Sequence, residues 1–375
     1  MKNNQTEHKH HERLAGLELL RFISAFSVLV WHYQHFSMIG LNLVDFDRVG
    51  QPFYQTLRLF YDFGYFGVQV FWCISGFIFF IKYGHAIRVG AVDARSFLIA
   101  RFSRLYPLHF TTLIITLILQ YGYTKFGNDY FVYGENDGRH FLLQILLASE
   151  WGFEAGRSFN GPIWSVSVEV LVYLIFFYSM KKFGPSLWIN IFIMIICVII
   201  RLLGVKSNIV QCLAFFYLGG CAAVVYWVAR GDDRSILAEY MLAGLSLLIF
   251  LIGLFLGFFI IASYAAVTCI FFSVVLFWVA ALNSGRVSLK LIGVVETLGN
   301  LTYASYLTHF PIQLAIAIWF RSIEKSVPYQ HEGVLMLYVG SVFLTAYFVF
   351  EYFERPMQLA IRQRFHERKN TGIGK

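Results

Sequence analysis

Long apolar runs recur along the chain, each bounded by a short polar or basic stretch. A helix that crosses a bilayer needs about 20 largely apolar residues. Ten segments meet that need, at 17–39, 62–81, 105–121, 162–180, 186–204, 208–229, 237–257, 259–282, 300–320 and 334–353. The seventh and eighth are almost continuous, so the pattern predicts a tight turn near Gly257. Residues 140–153, HFLLQILLASEWGF, are too short to cross and read as a re-entrant or interfacial helix in the longest loop. The expected fold is an all-α polytopic membrane protein of about ten transmembrane helices around a central pore.

Composition agrees with this pattern. Of 375 residues, 58% are hydrophobic and 14% charged, too few polar groups to cover a soluble protein of this size. Of the 30 Lys and Arg, 20 fall on the side that carries both termini, nine on the other, and one, Arg21, within the first span. The positive-inside rule then places both termini in the cytoplasm. A net charge of +8 is the product of those basic loops, and no nucleic-acid partner is expected. The chain divides into a polar cytoplasmic tail at 1–13, a membrane domain at 14–355 and a basic cytoplasmic tail at 356–375, with no internal repeat and no cleavable signal peptide expected. Cys73, Cys197, Cys212, Cys221 and Cys269 lie in apolar runs without metal-like spacing and read as core residues. The His8–Glu12 stretch, HKHHE, reads as a solvated tail, and no metal is expected.

The ionisable residues inside the spans carry the chemistry. Hydrocarbon does not solvate such groups, so each one marks a candidate functional site. Arg21 and His32 are 11 positions apart in the first span. On a helix they share a face to within about 20° and stand about 16 Å apart along the axis. His35, nearer the outer interface, reads as structural. Arg101 and Arg104, in RFSRLYPLH, share a helical face at the cytoplasmic level of Arg21, where a guanidinium cluster suits phosphate groups. Glu169, in WSVSVEVLVY, reaches a depth similar to that of His32 from the opposite side and is placed to orient an imidazole. His309 lies mid-membrane in the ninth span, where Pro311 is expected to kink the helix and free a carbonyl. Glu351, Glu354 and Arg355, in EYFERP, read as interface charges at the cytoplasmic end of the last span.

Five of these runs resemble the motifs of membrane acyltransferase family 3, in the family's order, between positions 17 and 311. LELLRFISAFSVLVWH resembles its Leu-Asp-Gly-Leu-Arg-Gly-Ile-Ala-Ala opening followed by His, with Glu18 at the Asp, Arg21 at the Arg, and Leu19 and Phe22 at two glycines. GVQVFWCISGFIFF is similar to Gly-Val-Asp-Phe-Phe-x-x-Ser-Gly-Phe, with Gln69 at the acidic position and Ser75 at the Ser. RFSRLYP is similar to Arg-x-x-Arg-Ile-x-Pro, with Ala100 where many members have a further Arg. WSVSVEV resembles Trp-Ser-Leu-x-x-Glu through Trp164, Ser165 and Glu169, and GNLTYASYLTHFPI resembles Gly-x-x-Ser-Tyr-x-x-Tyr-Leu-x-His through Tyr306 and His309.

The resemblance implies a multi-pass enzyme of the bacterial cytoplasmic membrane that transfers an acyl group, usually acetyl, from cytoplasmic acyl-CoA to a carbohydrate hydroxyl. Acyl-CoA is then the donor substrate, with no bound cofactor. The acceptor class is a cell-envelope or lipid-linked glycan such as exopolysaccharide or O-antigen. On that basis Arg21, Arg101 and Arg104, with Glu18, are expected at the donor site, His32 as general base and Glu169 behind it. Ser75, Ser165, Trp164, Tyr306 and His309 are expected to support or line the pore, with a serine available to the oxyanion. Tyr123, Tyr130, Tyr133 and Trp151 of the 122–161 loop are placed to stack on a sugar. Two rival classes are a secondary transporter, which also needs midplane charges, and a non-catalytic membrane component of a polysaccharide-export system.

Overall fold

The computed structural model describes residues 15–230, 236–259 and 289–370, except Gly40, Asp45 and Asn128, together with Ile270, Phe272, Val274 and Val275. The N-terminal tail with His8–Glu12, Cys269 and most of the expected eighth span lie outside the described residues.

The described residues are helical nearly throughout. In order the helices are α1 (Ala15–His32), prolonged by a 3₁₀ turn over Tyr33–Ser37, α2 (Tyr54–Phe63) and α3 (Gly67–Phe79), which passes through a π turn (Phe80–Gly84) into α4 (His85–Arg88). Next come α5 (Ala94–Tyr123), α6 (Gly138–Ile145), α7 (Trp164–Phe183), α8 (Leu187–Leu202), α9 (Asn208–Arg230) and α10 (Ile236–Phe259). Last are α11 (Leu289–Asn300), α12 (Thr302–Ser322) and α13 (Glu332–Val349), whose π turn (Phe350–Glu354) leads into α14 (Arg355–Asn370). The β structure among the described residues is a single pairing of Met38–Ile39 with Asn42–Leu43.

Among the described residues, six helical stretches are long and apolar enough to cross a membrane: Ala15–Ser37, Tyr54–Arg88, Ala94–Phe126, Gly161–Phe183, Asn208–Val228 and Glu332–Phe365. Leu187–Leu202 and Tyr240–Phe255 are shorter apolar helices at the expected fifth and seventh spans. Helix α12, at the expected ninth, is less apolar because it is a core helix: residues such as Ser305, His309 and Gln313 are buried against protein. Helix α10 continues through Gly257 to Phe259, and the residues just beyond, where the expected turn falls, lie outside the described residues.

The short helix expected at 140–153 is the eight-residue α6, capped by Asp137, whose carboxylate accepts from His140 N. It is docked on the bundle, because His109 Nε2 of α5 donates to the Gln144 carbonyl at 2.7 Å. Helices α3 and α9 approach backbone to backbone. A Cβ added at Gly76 would run into the Phe216 carbonyl, and one at Gly219 into the Cys73 carbonyl. Small residues permit such close helix contact where lipid supplies no hydrophobic drive. Around this crossing, Phe79 stacks on Tyr173 at 4.5 Å and meets Phe97, Phe176 and Phe216 edge-on, tying α3, α5, α7 and α9 together.

Gly76→Ala and Gly219→Ala are each expected to cost about 1–3 kcal/mol, as overpacking of a tight contact does. Denaturant unfolding of the purified protein measures this, and unchanged stability in both variants contradicts the close approach.

Candidate functional site

A cavity between α1, α3, α5, α7 and α12 encloses about 860 Å³ counted to its open mouth. Its walls carry Arg21, Arg101, Arg104, Ser75, Glu169 and Ser165, with Thr302, Tyr303 and Tyr306 from α12. Arg21 donates to Glu18 Oε2 at 2.7 Å and to Thr302 Oγ1 at 3.0 Å. Arg101 donates to the Tyr83 hydroxyl at 2.7 Å and lies 4.8 Å over the Phe79 ring. Glu169 sits beside the hydroxyls of Ser75 and Tyr173 and within electrostatic reach of Arg104 and Arg101. Arg101 Nε, Glu169 Oε1 and Glu354 Oε2 are buried without hydrogen-bond partners.

At its other end the cavity stops at Ser165 and Tyr306. Their hydroxyls are 2.7 Å apart, and the Tyr306 hydroxyl donates to the Pro162 carbonyl at 2.8 Å. His309 follows three positions later on α12, about 4.5 Å farther along by helical rise. There His309 Nε2 lies 3.1 Å from His32 Nδ1. Among the described residues, His32 is not on the cavity wall.

The histidine contacts determine their own tautomers. A carbonyl only accepts, so the 2.6 Å contact between His309 Nδ1 and Tyr306 O puts a proton on Nδ1. In a neutral ring the lone pair then sits on Nε2, and His32 Nδ1 must donate to it. The lone pair of His32 is left on Nε2, for which the described residues offer no partner. Gln313 fixes both neighbours: its Nε2 donates to the His32 carbonyl at 2.9 Å, and its Oε1 accepts from His35 Nδ1 at 3.1 Å.

The long loop closes over this group. Pro311 lacks an N–H and frees the carbonyl of Leu307 four residues back. Asn160 Nδ2, at the end of the loop, donates to that carbonyl at 3.0 Å. Gln144 Nε2 donates to Ser158 O at 2.9 Å, and Trp151 Nε1 to Ser167 O at 2.9 Å, so the loop is fastened at several points. Tyr133 is buried against the Phe310 ring at 4.9 Å and the His35 ring at 5.8 Å. It is therefore removed from the expected sugar-stacking surface, on which Tyr130 remains exposed.

Two expected placements change. Glu169 does not stand behind His32, because its helix delivers it to the arginine cavity, and the ring behind His32 belongs to His309. Glu354 is no interface charge. The π turn at Phe350–Glu354 adds a residue to the helical turn and brings Glu354 inward, 6% exposed and near Arg104 and Arg21, while Glu351 pairs with Arg355 at 3.6 Å. Asn160, Gln313 and Arg157 join the site although they did not stand out in the sequence. Gln313 is the one with a legible signal, four positions from His309 on a single helical face. Glu135, Asp137 and His140 also cluster. Both His140 nitrogens are committed there, Nδ1 to Asp137 at 2.8 Å and Nε2 to the N–H of Ala155 at 3.0 Å, so the cluster fastens the loop.

The family model of acyltransferase family 3, described as an acyltransferase domain, matches residues 14–350, and the chain belongs to that family. Comparison with curated proteins and with solved structures returns no match.

Nitrogen NMR of histidine-labelled protein is expected to show His32 and His309 both protonated on Nδ1. A His32 ring protonated on Nε2 in the neutral form contradicts the hydrogen-bond chain.

Proposed function

We propose that this member of acyltransferase family 3 moves an acyl group, in the simplest case acetyl, from cytoplasmic acyl-CoA to a hydroxyl of a cell-envelope carbohydrate. The protein works in the bacterial cytoplasmic membrane with both termini inside, its ten spans surrounding the passage that donor and acceptor share. The observation that carries this reading is the convergence of Arg21, Arg101 and Arg104, from two helices, on one cavity. Phosphate groups of CoA suit such a guanidinium cluster. Each buried polar atom left unpaired costs about 1–3 kcal/mol. A donor presenting phosphate oxygens to Arg101 and an amide N–H group to Glu169, both on the cavity wall, offsets those costs.

The pantetheine arm then runs along the cavity toward Ser165 and Tyr306. Their hydroxyl contact must open for the thioester to reach His32, which frees the Ser165 hydroxyl to donate to the developing oxyanion. An acceptor hydroxyl is a poor nucleophile at neutral pH. Nε2 of His32 takes its proton as the oxygen bonds to the thioester carbon. Collapse of the tetrahedral intermediate breaks the C–S bond, and the imidazolium returns the proton to the departing CoA thiolate. His309 holds His32 in the tautomer that exposes Nε2, the positioning part that a carboxylate plays in hydrolytic triads.

Incubation of the purified protein in nanodiscs with labelled acetyl-CoA and candidate glycans tests the reading. Thioester loss with acyl transfer is expected, whereas glycan flux or binding without thioester consumption favours the transporter or export-component classes and overturns the proposal. His32→Ala is expected to lower transfer by roughly 10²–10⁴-fold with the protein still inserted; near-normal acylation removes His32 from the mechanism. Arg101→Ala or Arg104→Ala is expected to weaken acetyl-CoA binding about tenfold or more, the loss of one charge-assisted hydrogen bond. Unchanged donor affinity in both variants moves the donor site elsewhere.

A further inference from the structure

Arginines on the loops around the histidine group have evident partners. Arg321 pairs with Asp129 at 2.6 Å, and that hydrogen bond holds the Asp129 carboxyl below its usual range. Arg48 donates to the Tyr61 carbonyl at 2.8 Å, and Arg139 donates to the Phe153 carbonyl. Arg157 differs. Among the described residues no carboxylate lies within ion-pair distance of it. Its guanidinium lies 4.8 Å over the Trp164 indole, with the Tyr133 hydroxyl beside it. Burial pushes the Tyr133 phenol up to about 12, so it remains a neutral hydroxyl.

These contacts place Arg157 on the flank of the histidine group. Tyr133, its neighbour on one side, meets the His35 ring, and His35 in turn stands 4.7 Å from the His32 ring. Trp164, on the other side, opens the helix that supplies Ser165 to the cavity's end. The Arg157 charge is within electrostatic reach of His32, His35 and Tyr306. A guanidinium lying on an aromatic face keeps its N–H edge free, and that edge matches a carboxylate or phosphate in a bidentate pair. The expected topology puts this loop on the outer side, where the acceptor arrives.

We propose that Arg157 is the anion-recognition residue of the acceptor site, and that the acceptor is an anionic saccharide whose carboxylate or phosphate lies near the hydroxyl to be acylated. The role as acceptor rests on the acyltransferase reading above, whereas saccharide binding is measurable without turnover.

Equilibrium binding of cellobiose, cellobiuronic acid and cellobiose 6′-phosphate to the full chain in nanodiscs tests the assignment. Wild type is expected to bind at least one of the two acids ten or more times more tightly than cellobiose, and the tighter acid tells carboxylate from phosphate. Arg157→Gln is expected to erase the preference, Arg157→Lys to keep part of it, and Arg139→Gln, on the same loop, to keep all of it. Thermal unfolding midpoints confirm that each variant is folded. A wild type that binds no acid or does not discriminate overturns the assignment. So does an Arg157→Gln variant that still discriminates, or an Arg139→Gln variant that loses as much as Arg157→Gln. Thioester consumption is read separately: its absence beside intact Arg157-dependent binding removes the transferase chemistry and leaves the anion site standing.

Discussion

Hydrocarbon solvates neither a guanidinium nor an imidazole, so the polar groups of α1 must find protein partners, and α12 supplies them. Arg21 meets Thr302, and the His32 carbonyl meets Gln313, each pair 281 positions apart. A constant offset over 11 residues means that α1 and α12 run parallel and in register. A parallel pair requires an odd number of crossings between its members, which the expected series of spans satisfies. The same pairing explains why α12 tolerates Thr, Ser, His and Gln along its length: those residues face protein, where they are hydrogen-bonded. Without α12 beside them, α1 and its 3₁₀ extension would carry a cation and two histidines into lipid.

The spans were legible where composition decides the outcome, as in α1, α7 and α13, because some 20 apolar residues admit few alternatives. Arg21, Arg101 and Arg104 were legible as a cluster because charge inside an apolar run is costly and easily noticed. Partnerships were less so. Helical rise gave Glu169 and His32 similar depth, yet depth says nothing about rotation around the bundle axis, and Glu169 faces the arginines. Glu354 was hidden by its π turn, a single-residue irregularity without a signature in the hydrophobic pattern. Pro311 announced a free carbonyl, but the identity of its donor, Asn160, depends on how a loop some 150 residues earlier in the chain packs back.

That loop joins two structural levels. The membrane helices position Arg21, His32 and His309, while the segment from Asp129 to Ile163 is pinned to them by His109, Asn160, Trp151 and Arg321. Each pin satisfies a buried or exposed backbone or side-chain group that would otherwise need water, which is how irregular backbone persists at the membrane. Fastened in this way, the loop has a defined inner face, and Tyr133 and Arg157 sit on it.

In the proposed mechanism, a second imidazole behind His32 has a different consequence from a carboxylate. A carboxylate brings a permanent negative charge into a desolvated site, where it stabilises the imidazolium but repels the oxyanion that forms on the thioester. Neutral His309 accepts from His32 without such a charge and fixes the tautomer by geometry alone. Among the described residues, the cation within electrostatic reach of His32 is then Arg157 on the loop. In the proposed reaction such a charge would favour negative charge on the reacting carbonyl and on an anionic acceptor. In the proposed reaction the proton need not stay on His32, because the departing CoA thiolate would take it up.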